Sequence, residues 1–166
     1  MYNLISNRDR NIQTDIAVLD FSKAFDTVPH DRLLGKLEFY GITGPINSWI
    51  SCFLKNRIQS VLVDGVKSES VKVDSGVPQG TVLGPLLFLL YINDLPHNVS
   101  SHVSLFADDC LLYREIRDTE DQLCLQSDLD ALVEWGKIWG MHFNASTCNI
   151  LRVSRSTKPL TKFYRE

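Results

Sequence analysis

The segment 75-SGVPQGTVLGPLLFLLYINDL-95 is the most informative part of this 166-residue chain, together with the shorter segments 17-AVLDFSKAFD-26 and 106-FADD-109. The first stretch joins a turn-rich loop to a strongly apolar helix, predicted over 83–95. Pro85 lies in the first turn of this helix, where proline is tolerated. The other two segments place acidic residues where apolar strands end, which is unusual enough to require an explanation.

Hydrophobic periodicity predicts the elements on either side of these segments. We expect helices over 31–40, 45–54 and 119–140, and strands over 16–21, 103–107, 110–113 and 149–154. We also expect a hairpin between 59–64 and 66–73, because Asp64-Gly65 is a strong turn signal. Helices mixed with antiparallel strand pairs predict an α+β fold rather than a doubly wound one.

Two of the predicted helices carry apolar residues at helical spacing. In helix 45–54 the expected apolar face is Ile46, Trp49, Ile50 and Phe53. In helix 119–140 the expected core residues are Leu125, Leu129, Leu132, Val133 and Trp139.

The composition is that of a globular protein, with 44% apolar and 22% charged residues. The net charge of −3 disfavours a dedicated nucleic-acid-binding module, because such modules are usually basic. The charge is uneven, however. Residues 152–166 hold five basic residues and one acidic residue, so the preceding part of the chain is more acidic than the total suggests.

Several classes of protein are disfavoured. The longest near-apolar run, 82–92, is too short to span a membrane. The four cysteines lack the spacing of a zinc site. We therefore expect an intracellular chain, in the nucleus or the cytoplasm, with no membrane partner.

Three acids stand out against this background. Asp20 ends an apolar strand, and Asp108 and Asp109 lie side by side between two more. A solvated turn would explain the pair, but adjacent acids repel each other unless a cation neutralises them. If the strands are neighbours, three carboxylates converge on one sheet edge. Such oxygen ligands suit Mg²⁺, and two such ions can clamp the oxygens of a phosphoryl transfer.

The three segments, in this order, closely resemble the palm motifs of reverse transcriptases from non-LTR retrotransposons of the LINE type, jockey-like elements in particular. The resemblance covers about residues 12–155 and includes Trp49-Ile50 and Asn56-Arg57 between the first two motifs. It implies an RRM-like antiparallel sheet with helices on one face. It also implies an RNA template, a DNA primer, dNTP substrates and two Mg²⁺ ions, with Mn²⁺ as a substitute.

The resemblance also implies roles for individual residues. It makes Asp20 and Asp108 metal-binding carboxylates and Asp109 the third acid, and Phe21 would reach a metal through its backbone carbonyl. Phe25 would be the aromatic gate that excludes a 2′-OH, although an isolated Phe would more simply be core packing.

The loop before the apolar helix has implied roles as well. Gln79 would touch the incoming nucleotide and the template. Gly80, like Gly76, would let the backbone approach closely. An ordinary helix-entry turn also explains this loop.

The chain departs from the resembling proteins in two respects. Their fingers and thumb regions are expected to be missing, so 1–155 is predicted to be a partial palm and 156–166 a basic tail that starts the thumb connection. Relatives commonly have Lys where this chain has Thr147, and that Lys is thought to help protonate the departing pyrophosphate.

Three readings follow. The first is a polymerase palm, working with fingers and thumb regions of a longer polyprotein and nearly inactive alone. The second is a degenerate, catalytically inactive retroelement remnant with at most nucleic-acid-binding function. The third, a different two-metal enzyme such as a cyclase or nuclease, is disfavoured by Phe25 and the 75–80 loop, which suit a templated dNTP.

Overall fold

The computed structural model describes residues 7, 9–10, 12–156, 159–160 and 164. The chain divides into two compact units. The first combines Met1–Ser22 with Asp94–Glu166, and the second is Lys23–Asn93.

The first unit is built on a four-stranded antiparallel sheet, whose strands are β1 (Gln13–Asp20), β6 (His102–Phe106), β7 (Asp109–Ile116) and β8 (Asn149–Val153). Their order across the sheet is β6-β7-β1-β8. β1 is central, and β7 pairs with it over its whole length. It begins earlier than predicted because Gln13, Thr14 and Asp15 are buried polar residues that an apolar pattern does not reveal.

One long helix, α5 (Thr119–Trp139), packs against β7 of this sheet. It also contacts the short 3₁₀ helix Leu95–Asn98. The Asp118 side chain caps its start by accepting hydrogen bonds from the first-turn N–H groups. Gly140, with φ of 70°, ends it. Of the expected core residues, Leu125, Leu129 and Leu132 are buried.

Two residues of the expected α5 core are not fully buried: Trp139 is half-buried, and Val133 is exposed. Val133 is 42% exposed, so its prediction was wrong. Trp135, three residues after Leu132, is buried instead, and its indole N–H donates to Asp94 Oδ1 at 3.2 Å.

The second unit contains four helices and a hairpin. The helices are α1 (Ala24–Thr27), α2 (His30–Phe39), α3 (Gly44–Leu54) and α4 (Leu83–Ile92). The hairpin consists of β2 (Arg57–Gln59) paired with β5 (Val71–Val73), and β3 (Leu62–Val63) paired with β4 (Val66–Lys67). Asp64 and Gly65 both have positive φ, as a two-residue hairpin turn requires, which confirms this turn.

The predicted apolar face of α3 was wrong in part, because two of its residues are exposed. Ile50 is buried, but Ile46 and Trp49 are 62% and 60% exposed. The cause is Asn47, which is buried and donates through Nδ2 to the carbonyls of Leu34 and Ile42. This polar anchor sets the rotation of the helix.

Side chains of β1 hold the described part of the C-terminal segment on the first unit. Gln13 Nε2 donates to the Leu160 carbonyl at 3.0 Å, and the Leu160 N–H donates to Gln13 Oε1 at 2.9 Å. The Tyr164 hydroxyl donates to buried Asp15 at 2.8 Å, and Arg152 pairs with the same carboxylate. Burial and the Asp15 contact raise the pKa of the Tyr164 hydroxyl well above its usual range. Lys158, Lys162 and Arg165 of the predicted basic tail lie outside the described residues.

The predicted α+β class is confirmed by this arrangement. Among the helices that the structure describes, none combines the length and apolarity that crossing a bilayer demands.

Candidate active site

Two of the three predicted acids meet at the end of the central strand. Asp20 is the last residue of β1, and Asp109 is the first residue of β7 and its direct antiparallel partner. Residues directly opposite point to the same face, with Cβ atoms about 5 Å apart. Asp20 is half-buried and Asp109 is exposed, so the two carboxylates share an open edge of the sheet.

The third acid lies in the turn between β6 and β7. This turn consists of Ala107 and Asp108, since Phe106 pairs with Asp109. The prediction that Asp108 and Asp109 form the turn was therefore wrong by one residue. The observed register keeps Cys110 and Leu112 in the core, and a shift by one residue would turn both outward.

Ala107 has a φ of 52°, a left-handed conformation in which L-residues with a Cβ are strained by about 1 kcal/mol. Glycine is the usual residue at the first central position of such a hairpin turn. The strained turn holds Asp108 next to Asp109 while Asp109 stays in register with Asp20.

The structure bears on the predicted metal site in two ways. In the described residues, no group of three or more His, Cys, Asp or Glu side chains is arranged to hold a metal ion. The Asp20–Asp109 pair nevertheless suits Mg²⁺, which typically takes one or two carboxylates and completes its shell with waters and substrate phosphates. The predicted convergence of all three acids stays a prediction.

A loop from the end of the first unit continues the sheet beyond Asp20. The Asn144 N–H donates to the Asp20 carbonyl, and the Ser22 N–H donates to the His142 carbonyl, both at 2.8 Å. Between these two bonds, Phe21 forms a bridge with Phe143, and their rings stack at 4.5 Å. The Phe21 ring is therefore core packing, and the implied role of its backbone carbonyl stays a prediction.

This loop brings Thr147 to the acid pair. The Thr147 hydroxyl donates to Asp20 Oδ2 at 2.8 Å, although 127 residues separate the two. Thr147 was singled out from the sequence only because it replaces a Lys. The contact itself has no local signal in the sequence.

Of the residues predicted to bind the nucleotide, Phe25, Gln79 and Gly80 lie in the second unit, and Phe21 lies in the first. Phe25 is half-buried in α1, and its ring lies 4.6 Å from that of Phe88 in α4. Part of the Phe25 ring therefore packs against Phe88, as expected of a core residue. The remaining exposed part is the surface on which its predicted gate role depends.

The 75–79 loop is held along the segment that carries Phe25. The Val77 N–H donates to the Phe25 carbonyl at 2.7 Å, and Gln79 Nε2 donates to Asp26 Oδ1 at 3.0 Å. Gly76 permits this approach, because a Cβ there would lie 2.7 Å from the Asp26 Cα. Phe25 and Gln79 are thereby brought together, while Gly80 is exposed with a φ of 75°.

Asp26 is a residue that the sequence reasoning missed, because it assigned no chemistry to it. In the structure it orients Gln79 through its carboxylate and accepts from the Ser75 hydroxyl through its carbonyl. Its position, six residues after Asp20 in the same motif, was the available signal.

Comparison with known proteins connects this geometry to a family. The model of the reverse transcriptase (RNA-dependent DNA polymerase) family matches residues 5–161. The RNA-directed DNA polymerase of the mobile element jockey from Drosophila funebris is 33% identical over 139 residues, which are 78% of this chain and 15% of that protein. A probable RNA-directed DNA polymerase from the X-element of Drosophila melanogaster is 34% identical over 149 residues, 85% of this chain and 16% of that protein.

A solved structure supports the fold. Telomerase from Candida tropicalis, in complex with a fragment of telomeric RNA, matches with a TM-score of 0.66 at 12% identity. The match covers 98% of this chain and 29% of the telomerase chain. The chain thus spans only a small part of each of these proteins. Because the family model matches residues 5–161, nearly the whole chain, the chain belongs to the reverse transcriptase (RNA-dependent DNA polymerase) family.

Proposed function

We propose that this chain is the catalytic palm of an RNA-directed DNA polymerase of a non-LTR retrotransposon, which transfers a dNTP to a primer 3′-OH. The observation that carries the proposal is the pairing of Asp20 with Asp109 at the open end of the central strand. The sheet register holds the two carboxylates close together, so they can bind a divalent cation without rearrangement of the strands.

In this proposal, Asp20, Asp108 and Asp109 hold two Mg²⁺ ions, with Mn²⁺ as a substitute. When bound, such ions neutralise phosphate charge and stabilise the attacking and leaving oxygens of an in-line displacement. The protein contributes position: β1 and β7 fix the spacing of Asp20 and Asp109, and the Ala107–Asp108 turn adds the third carboxylate.

The second unit supplies the nucleotide contacts of the proposal. The exposed part of the Phe25 ring faces the deoxyribose and selects against a 2′-OH. Gln79, oriented by Asp26, contacts the incoming nucleotide. Gly80, which has no side chain, lets the protein backbone come close to that nucleotide. Because Asp26 holds the Gln79 amide, its substitution should weaken dNTP binding without altering the acid pair.

The partners in this proposal are an RNA template, a DNA primer and dNTPs, with fingers and thumb regions of a longer polyprotein to hold them. The division of labour explains the acidic composition, since the palm concentrates carboxylates and the basic grip lies elsewhere. We place the chain inside the cell, in the nucleus or the cytoplasm.

A chimera tests the proposal. The chain replaces the matching segment of the jockey polymerase, and DNA-primer extension on an RNA template is measured with dTTP and Mg²⁺. We expect extension by the folded chimera, its loss in the Asp108→Asn/Asp109→Asn variant, and little extension by the isolated chain. A folded chimera without activity, beside an active parent, would contradict the proposal.

The second candidate is a catalytically inactive remnant that binds nucleic acid, and Thr147 is the residue that favours it. Threonine carries no ammonium group from which to protonate a leaving pyrophosphate. This candidate predicts an inactive chimera and RNA binding by the chain that weakens with added salt. The chimera therefore separates the two functions directly.

A further inference from the structure

The Asp20 carboxylate has one hydrogen-bond donor among the described residues, and that donor is the hydroxyl of Thr147. The Oγ1–Oδ2 distance is 2.8 Å, typical of a charge-assisted O–H···O⁻ bond. In the described part of the chain, no donor is directed at Oδ1. One oxygen of the carboxylate is thus fixed, and the other remains for a cation.

The hydroxyl is held in place by the backbone rather than by chance contact. The Thr147 N–H donates to the Asn144 carbonyl at 3.0 Å, and the Asn144 N–H donates to the Asp20 carbonyl at 2.8 Å. The Asn144 side chain also accepts from the N–H and the hydroxyl of Ser146. A closed chain of bonds therefore runs from the Asp20 backbone through the loop and returns to the Asp20 side chain.

The hydroxyl has a choice of two acceptors but only one proton. Its oxygen lies 3.0 Å from the Asn144 carbonyl and 2.8 Å from Asp20 Oδ2. The charged and nearer oxygen is the stronger acceptor. The proton is accordingly directed at Asp20.

We infer that Thr147 is a positioning residue, which fixes the side-chain rotamer of Asp20 so that Oδ1 is presented to a divalent cation on the side shared with Asp109. Thr147 does this without neutralising the acid pair, because a hydroxyl brings no positive charge. The inference rests on the proposed function only in taking Asp20 as a metal ligand.

The first measurement needs neither metal nor activity. Three-bond carbon–carbon and carbon–nitrogen couplings to the carboxyl carbon of Asp20, measured by NMR on the full chain, report whether χ1 occupies one rotamer or several. We expect one rotamer in the wild type and in Thr147→Ser, and averaged couplings in Thr147→Val, which keeps the shape but removes the donor. Ser104→Ala is the control: it removes an exposed hydroxyl from β6, outside the loop that carries Thr147, and the couplings should not change.

The second measurement is Mn²⁺ binding, followed by the relaxation of water protons. Loss of a residue that orients a metal ligand weakens metal binding, and for this half-buried carboxylate we expect about a three- to tenfold increase in Kd in Thr147→Val. Thr147→Ser should restore the wild-type Kd, and Asp20→Asn should remove the site.

The outcomes distinguish this inference from the proposed function. Wild-type couplings in Thr147→Val would overturn the positioning role, whatever the polymerase assay shows. An inactive chimera with averaged couplings in Thr147→Val would overturn the polymerase proposal and leave the orientation of Asp20 by Thr147 intact. Equal Mn²⁺ affinity in Thr147→Val and the wild type, with loss in Asp20→Asn, would also contradict the inference.

Discussion

Asp20 and Asp109 face each other directly across the β1–β7 ladder, so two negative charges occupy one cross-strand pair. Like charges in this arrangement repel each other and destabilise the sheet. The cation that we propose to bind here would offset this repulsion. Stability and metal binding should consequently change in opposite directions when one charge is removed.

Asp109→Asn tests this opposition. The free energy of unfolding without metal should rise by about 0.5 kcal/mol, because one repulsive pair is removed. Added Mn²⁺ should then raise the melting temperature of the wild type but not of the variant. Asp130→Asn, which removes an acid from the exposed surface of α5, is the control and should retain the response to Mn²⁺. Equal metal responses in wild type and Asp109→Asn would contradict the assignment.

Gly76→Ala should destabilise the second unit by about 3 kcal/mol. The glycine has a φ of 83°, and a Cβ would lie 2.7 Å from both the Asp26 Cα and the Phe25 carbonyl oxygen. Gly35→Ala is the matched control, because that glycine is helical with no atom within 4 Å of the added Cβ. It should stabilise the chain by about 0.5–1 kcal/mol. Urea unfolding of both variants measures the contrast, and similar midpoints would be inconsistent with the close approach at Gly76.

Lys36→Met should destabilise the chain by about 2 kcal/mol. Lys36 is buried, its Nζ donates to the Tyr91 carbonyl at 2.6 Å, and it lies 4.8 Å from the centre of the Tyr91 ring. Methionine fills a similar volume but donates nothing to the end of α4. Lys55→Met, at an exposed ion pair with Asp31, should change the stability little. Thermal unfolding compares the two, and equal losses would argue against a special role for the buried amine.

Asp128→Asn should reveal a pH-dependent contribution to stability. Burial opposes the charge of Asp128, but hydrogen bonds from Ser101 and Ser100 outweigh it and hold the pKa of the carboxyl below its ordinary value of 3.8. A lowered pKa in the folded state adds stability above the unfolded-state pKa, and this contribution is lost as the pH falls through the lower, folded-state value. The wild type should therefore exceed the variant in unfolding free energy at pH ~7, and the difference should shrink toward pH ~2. If the difference in unfolding free energy between the wild type and Asp128→Asn did not change with pH, the ionised carboxylate would not be the source of the stability.

The sequence predicted best where local geometry is decisive. The Asp64-Gly65 turn requires two residues of positive φ, and that requirement is legible in the two residues themselves. The meeting of Asp20 with the second strand pair follows from strand periodicity once the strands are recognised as neighbours. That Asp109 is the residue paired with Asp20 does not follow from periodicity. The position of the turn at Ala107–Asp108 depends on which side chains the core accepts, and not on turn preference alone.

The errors arose where a distant polar group decides the packing. The buried indole N–H of Trp135 finds its acceptor in Asp94, 41 residues away in the chain. Trp49 is exposed because buried Asn47 directs the opposite side of α3 inward. The Thr147–Asp20 contact joins residues that only the folded sheet brings together. Hydrophobic periodicity contains no information on such pairs.

The bonds between Gln13 and Leu160 have a practical consequence for shortened versions of the chain. The Gln13 side-chain amide exchanges two hydrogen bonds with the Leu160 backbone, as two paired strand residues do. The Tyr164 hydroxyl adds a third bond, to Asp15. Cutting the chain after residue 155, where motif resemblance alone would end the palm, would remove the Leu160 partner of Gln13 and the Tyr164 donor to Asp15 at the start of β1, and would leave Arg152 on Asp15. Since β1 ends at Asp20, damage from such a cut would enter the strand that carries the first acid.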